Sequence, residues 1–330
     1  MPRISVIMPV YNTKPNYFKK AIESVLKQTF IDFELIIVDD CSDSYIKEIV
    51  SQYQDKRIFY YRTKRNSGAA TARNLAISKA HGEFLAFMDS DDISLPTRFE
   101  EQIKYFEEHP QIGCLGTNIT TISSKIKMRF PKKIRHKDIE QYLVFTGCAF
   151  CQSSVMLRKE ILDKNNIKYN TKYVPAEDYA LWLDLIGKTK FAILDKILVK
   201  YRFYAENISN RQKSLQERKC GEAQLNALEK YCGFKLDNKE LLLSFFYNKS
   251  LSSNDLQKLN TTLSQIISLM QSKRIFTPAA LNVFQRKFKK LYYHTHGISG
   301  QWQLFISPIN RLLNISFHQR LFCFITRGIL

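Results

Sequence analysis

The first 115 residues alternate apolar, β-rich runs with stretches of helical spacing, and this alternation restricts the chain to a mostly parallel sheet flanked by helices. Residues 4–10, 33–38, 58–61, 84–88 and 112–115 read as strands. Between them, Pro15 opens a helix with Phe18, Ile22, Val25 and Leu26 on one face, and Tyr45, Ile46, Ile49 and Val50 mark a second. Asn66-Ser67-Gly68 is turn chemistry leading into a helix over 69–80, and Pro96 opens a helix carrying Phe99, Ile103 and Phe106. Residues 117–172 are less regular, with a basic loop at 125–137 and a strand near 154–157. A helix over 179–186 and a strand pair within 191–203 follow, and beyond about Arg211 the pattern turns helical and basic. The expectation is an α/β domain over 1–210 and a helical, basic region over 211–330.

Two of these strands end in paired aspartates. Asp39-Asp40 closes the second, and Asp89-Ser90-Asp91-Asp92 closes the apolar run Phe84-Leu85-Ala86-Phe87-Met88. Three carboxylates in four residues repel one another unless a cation neutralises them, and hard oxygen ligands at one point suit Mg²⁺ or Mn²⁺ with a phosphate completing the shell. Ordinary helix caps explain one such acid, not three. In an open α/β sheet ligands bind beyond the carboxyl ends of the strands, where Pro9-Val10-Tyr11-Asn12 also lies. The residues thus point to a nucleotide site. Tyr11 can stack on a base, Asp40 can accept an imino N–H, and Asp89, Asp91 or Asp92 can hold a metal on a diphosphate. GxGxxG and GxxxxGK[ST] are both absent, so a metal and cations such as Arg73 must neutralise a diphosphate. Asp178 opens a helix beside Glu177 and is a candidate general base. Trp182, four residues on, shares its helix face and can cover a sugar ring or fill a core.

Composition excludes several classes. At 330 residues and 45% hydrophobic, the chain can bury a sizeable core. No apolar stretch approaches the ~20 residues that span a bilayer, and the N-terminus enters a strand pattern with no signal-peptide character. Seven irregularly spaced cysteines do not form a disulfide framework, and Cys148-Ala149-Phe150-Cys151 lacks the second pair a zinc shell needs. A cytoplasmic location is expected.

Five motifs occur in order: Ser5-Val6-Ile7-Met8-Pro9-Val10-Tyr11-Asn12, Ser24-Val25-Leu26-Lys27-Gln28-Thr29, Ile37-Val38-Asp39-Asp40-Cys41-Ser42-Asp43, Asn66-Ser67-Gly68 with Ala72-Arg73-Asn74, and Met88-Asp89-Ser90-Asp91-Asp92. Over about residues 1–210 this series resembles glycosyltransferase family 2, whose catalytic domain has the GT-A fold, a Rossmann-like α/β layout. The resemblance implies an inverting transferase that uses Mn²⁺ or Mg²⁺ and a nucleotide-sugar donor. By position, Asp40 is implied as the base-binding acid, Asp89-Ser90-Asp91 as the metal-binding DxD motif and Asp178 as the base that activates the acceptor. Donor contacts are expected from Pro9, Tyr11, Asp40, Arg73, Asp89, Ser90 and Tyr204, and metal contacts from Asp91, Asp89 and Asp92.

The second half resembles bacterial lipooligosaccharide chain-extending enzymes through Arg135-His136-Lys137-Asp138-Ile139, Tyr169-Asn170-Thr171, Ala176-Glu177-Asp178-Tyr179 and Leu198-Val199-Lys200-Tyr201-Arg202. Among these, similarity to β-1,3-N-acetylglucosaminyltransferases implies UDP-GlcNAc, with UDP-Gal or UDP-GalNAc as alternatives and a saccharide or lipid-linked saccharide acceptor. One departure concerns metal binding. Relatives often carry Tyr-Arg-x-His, whereas Tyr204 occupies that last position here, and a phenol is a poorer metal ligand than imidazole.

The net charge of +19 is uneven: residues 256–330 carry ten Lys/Arg and no Asp/Glu. Within that tail, Arg286, Lys287, Lys289 and Lys290 interleave with Phe284, Phe288, Leu291, Tyr292 and Tyr293. Such a segment suits an anionic membrane surface, which predicts peripheral attachment to the cytoplasmic face of the inner membrane; a helical cap on the catalytic domain is the plainer alternative. A non-catalytic nucleic-acid-binding role leaves the aspartate clusters unexplained, so nucleic acid is not an expected partner. A processive synthase is disfavoured because Gln-x-x-Arg-Trp and membrane spans are absent.

Overall fold

In a computed structural model, the described residues are 1–122, 127–128, 135–204, 211–233, 235–247 and 252–272. They fall into two compact units. The first comprises Met1–Ile139 and Cys148–Gln216; the second comprises Glu140–Gly147 and the described part of Glu217–Leu330.

The first unit is built on a mixed sheet in the order β3-β2-β1-β4-β8-β6-β9-β5, with β7 (Lys127–Met128) paired to β6. Strands β1 (Ile4–Val10), β2 (Phe33–Asp39), β3 (Ile58–Arg62) and β4 (Phe84–Phe87) run parallel. β8 (Met156–Arg158) is antiparallel to β4 and to β6 (Ile112–Thr121), and β9 (Lys190–Tyr201) is parallel to β6. The short β5 (Ile93–Ser94) pairs antiparallel with β9. Every residue of β1, β2 and β4 is buried. Strands covered on both faces read as continuous apolar runs, as these do. Helices α1 (Pro15–Leu26), α2 (Tyr45–Ser51), α3 (Ala69–Ser78) and α4 (Arg98–Glu108) supply the cover. Phe18, Ile22 and Val25 of α1 and Phe99, Ile103 and Phe106 of α4 join the core around β1, β2 and β4. Each such fully buried side chain stabilises by about 1.5–3 kcal/mol.

Three expectations change in detail. The strand pair expected within 191–203 is one twelve-residue strand, β9, whose register against β6 shifts at irregularities. The irregular stretch 117–172 holds the end of β6, then α5 (His136–Phe145), a 3-10 turn Gln152–Ser154, β8 and α6 (Lys159–Asn165). The helix expected at 179–186 begins two residues earlier, as α7 (Glu177–Asp184).

The second unit includes α8 (Lys213–Cys232) from Glu217 onward, α9 (Lys239–Tyr247) and α10 (Ser253–Ser272). Leu225, Leu228, Leu236, Leu242, Leu259, Leu263 and Ile266 are buried there. Gln224 donates to the Val144 carbonyl, and Lys239 pairs with Glu229 at 2.8 Å. Among the described residues no helix is long and apolar enough to cross a membrane. The basic segment 284–330 lies outside the described residues.

Candidate active site

Two loops at the carboxyl ends of β1 and β2 are latched together. Asn12 and Cys41 both adopt positive φ (46° and 63°), a region L-residues enter rarely and mostly where the surroundings enforce it. The enforcing bonds are visible: the Asn12 N–H donates to Ser42 Oγ at 3.0 Å, and the Asp43 N–H donates to Asn12 Oδ1 at 2.9 Å. Pro9 is buried in β1 beside Val38 of β2, and Tyr11 stands 52% exposed at the mouth.

Asp39 and Asp40 divide their work. Asp39, fully buried, accepts from Tyr60, Arg62 and the Ser42 N–H and so ties β2 to β3. Asp40 accepts from Thr63 Oγ1 (3.0 Å), from the Ser67 N–H through both oxygens (3.0 Å each) and from the Gly68 N–H (2.6 Å). Its carboxylate therefore fixes the turn that starts α3. Gly68 sits at φ 85°, so a side chain there would strain the turn even though space is open.

The acidic loop after β4 is sorted by orientation. Asp92 is fully buried; the Ser153 hydroxyl donates to Oδ2 and the Arg202 N–H to Oδ1 at 2.7 Å. Burial, then the neighbouring Asp91, push its carboxyl well above the ordinary range. Asp92 thus anchors the loop, while Asp89 and Asp91 keep part of their surface, and no group of three metal-ligating side chains converges among the described residues. Asp91 keeps part of its surface and accepts from the Tyr204 hydroxyl at 2.9 Å. Burial and then Asp89 raise it to about 6. Ser90 is buried and shares a 2.6 Å hydrogen bond with Thr13 Oγ1, which joins the loop to the start of α1.

Arg73 is the hub. Its guanidinium bonds Asp89 at 2.8 Å and Glu177 at 2.7 Å while lying over the Tyr169 ring. Burial opposes the charge, but Asp89 and Glu177 outweigh it and hold the group above its ordinary value. Both terminal nitrogens of Arg73 engage carboxylates, bringing the start of α7 to the end of β4. Asp178 follows Glu177 and remains partly exposed. Burial and then Glu177 raise its carboxyl to about 6, while Arg73 pulls the other way.

The Trp182 indole does not cover a sugar: it is fully buried, edge-on to Phe87 and Phe150 at 5.9 and 5.8 Å. Four residues have roles that the sequence reading does not assign. Ser153 accepts the Asp89 N–H and donates to Asp92. Arg202 donates to the Asp91 carbonyl at 2.7 Å and stacks 3.9 Å from the Tyr17 ring centre. Glu177 receives Arg73 through Oε1, while its buried Oε2 has no hydrogen-bond partner among the described residues. Arg98, wholly buried and pushed down to about 9 by burial, donates to the carbonyls of Phe87 and Val155 beneath the acidic loop. Only the pattern of a charge inside an apolar helix face could have flagged Arg98.

The family model for Glycosyl transferase family 2 matches residues 5–165. An uncharacterized glycosyltransferase of Methanocaldococcus jannaschii is 37% identical over 208 residues, covering 61% of this chain and 71% of that protein. The chain belongs to glycosyltransferase family 2. It is an enzyme of that family. The E. coli protein WfgD, a UDP-Glc:α-D-GlcNAc-diphosphoundecaprenol β-1,3-glucosyltransferase, is 31% identical over 213 residues, covering 63% of this chain and 80% of WfgD. The crystal structure of S. aureus TarS 1–349 in complex with UDP-GlcNAc superposes with a TM-score of 0.61 at 20% identity, over 97% of this chain and 92% of that one. That likeness establishes the GT-A type of fold.

Proposed function

We propose that this glycosyltransferase transfers a hexose from a UDP-sugar, UDP-GlcNAc first among them, with inversion, to a hydroxyl of a saccharide carried on a lipid in bacterial surface-glycan synthesis. The observation that carries the reading is the Asp89–Arg73–Glu177 bridge, which sets a candidate base, Asp178, beside the carboxylates of the acidic loop. TarS in complex with UDP-GlcNAc and WfgD acting on a diphosphoundecaprenol-linked sugar support the donor and acceptor classes.

In this reading the uracil lies against Tyr11, and its imide shares Asp40, where the two-way contact from Ser67 is the one that can yield. The donor set fits a hard divalent cation: Asp89 and Asp91 offer carboxylate oxygens, and no described residue donates to Asp89 Oδ2. Asp89 and Asp91 would hold Mn²⁺ or Mg²⁺, which when bound supplies charge neutralisation at the departing diphosphate. Tyr204 orients Asp91 through its hydroxyl, and Ser90 fixes the loop against Thr13. Asp178 removes the proton from the acceptor hydroxyl as that oxygen attacks the anomeric carbon opposite UDP, so an α-linked donor yields a β-glycoside. Glu177 Oε2, buried and without a donor among the described residues, suits a hydroxyl of a bound sugar. The domain reading keeps the transferase within 1–210. It assigns the basic segment beyond to the anionic membrane face where a lipid-linked acceptor resides.

The test is UDP release from a panel of UDP-GlcNAc, UDP-Glc, UDP-Gal and UDP-GalNAc with Mn²⁺, with and without a saccharide acceptor. Acceptor-dependent release that is abolished in Asp91→Ala is expected. Release by wild type and Asp91→Ala alike, in the presence of a chelator, would refute the site.

A further inference from the structure

A cavity lies at the end of the sheet opposite the acidic loop, and the proposed transferase chemistry does not use it. It is about 470 Å³ and opens where β6 and β9 begin, lined among others by Gly113, His136, Asn165, Lys188, Thr189 and Lys190. β6 and β9 run in the same sense as β4, so their first residues lie at the amino end of the sheet. The acidic loop follows the carboxyl end of β4, five residues beyond Phe84, or about 17 Å along a strand.

Three features make this a built cavity. Gly113 is the extra residue in β6: Ile112 pairs with Lys190 and Cys114 with Phe191, leaving it unpaired. A Cβ at Gly113 would fall 2.0 Å from Ile161 Cδ1 and 2.1 Å from Thr189 Oγ1, so the wall closes in only because no side chain stands there. The His136 ring is also fixed. Its Nδ1 accepts the Phe191 N–H at 3.1 Å and it stacks on Phe191. The third feature is charge. Arg158 and Lys164, also in the lining, are paired with Glu83 and Glu160, whereas Lys188 and Lys190 are exposed and engage no carboxylate among the described residues.

From this combination we infer that the cavity is an accessory site for a phosphate-bearing sugar. Two ammonium groups with no carboxylate partner among the described residues match a phosphate. The Thr189 and Asn165 side-chain oxygens are neutral acceptors for hydroxyls, their hydrogens going to the Lys190 and Ile161 carbonyls, and Ile112, Ile161 and Pro110 offer an apolar wall of sugar size. The only aromatic ring in the lining is His136, already stacked on Phe191, so a nucleotide base finds no platform. The same phosphate chemistry has two sources: a free sugar phosphate, or a phosphodiester within a glycan chain that reaches around the sheet.

Binding is measured by ³¹P NMR on the full chain with the nucleotide site saturated by UDP and Mn²⁺ replaced by diamagnetic Mg²⁺. The probes are glucose 1-phosphate and its methyl diester. The site predicts saturable binding of glucose 1-phosphate that weakens at least about fivefold in K188Q/K190Q, with basal transfer unchanged. A preference for the monoester assigns the site to free sugar phosphates; equal binding of the diester assigns it to a glycan chain. Absence of saturable binding of either probe, or equal binding by wild type and K188Q/K190Q, overturns the inference.

Discussion

Replacing Arg73 with methionine tests whether the link between α3, the acidic loop and α7 is structural support for catalysis. The substitution preserves much of the apolar stem and removes two ion pairs, at 2.8 and 2.7 Å, from a side chain only 9% exposed. Glu177 is then left as an unpaired carboxylate at 9% exposure, and Asp89, at 29%, keeps more solvent. Removing one partner of a buried pair costs about 3–5 kcal/mol. The solvent at Asp89 argues for the lower end, about 3 kcal/mol, which for a unit of this size lowers the melting temperature by roughly 6–12 °C. Part of that loss comes from the stranded Glu177 charge, so Arg73→Met with Glu177→Gln is expected to lose less than the sum of the single variants, by about 0.5–3 kcal/mol. Urea unfolding of the four proteins reads the stability, and transfer kinetics read the geometry. In the double variant kcat stays depressed although stability partly returns, because Asp178 has lost its tether. A single variant within about 0.5 kcal/mol of wild type, with unchanged kcat, refutes the reasoning.

Other outcomes follow from the same geometry. Asp178→Asn should keep UDP binding and lose about 10²–10⁴ in kcat; full transfer in that variant removes Asp178 from the mechanism. Because Asp178 titrates at about 6 and must be ionised to accept a proton, kcat/KM should rise with pH through about 6, and a flat profile from pH 5 to 8 would contradict its role. Tyr204→His should tighten Mn²⁺ binding several-fold by placing an imidazole beside Asp91, as read by electron paramagnetic resonance; unchanged affinity would show that position 204 does not reach the ion. Neutralising Arg286, Lys287, Lys289 and Lys290 with glutamine should weaken sedimentation with anionic vesicles by at least about a hundredfold, since each contributes about 1 kcal/mol near such a surface. Undiminished sedimentation would end the membrane reading.

The parallel half of the sheet was legible because its strands are covered on both faces and its turns carry local chemistry. Residues 4–10, 33–39 and 84–87 fall where continuous apolar runs place them. β6 was read short because Thr117 and Asn118 look like loop residues; both are buried, and Asn118 is satisfied by Asp195, 77 positions away. The acidic loop was visible as a cluster, but its division of labour was not. Asp91 and Asp92 are chemically identical, and only the Ser153 hydroxyl and the Arg202 N–H draw the second inward. The Arg73–Glu177 pair spans 104 positions, beyond any local pattern. Trp182 shows the converse: helical spacing put it on the face of Asp178, but Phe87 and Phe150 claim the ring for the core.

The long chain separation within that hub bears on biosynthesis. Strands β1 to β4 and the loop through Asp92 emerge from the ribosome some 85 residues before Asp178, and Tyr204 later still. Amino-terminal segments begin to organise first during translation. A nascent chain can therefore close the Arg73–Asp89 pair first, and the second arm of the bridge waits until Glu177 arrives. Joining the two fragments on either side of that interval, as separate polypeptides, would make reassembly itself a reporter of the bridge.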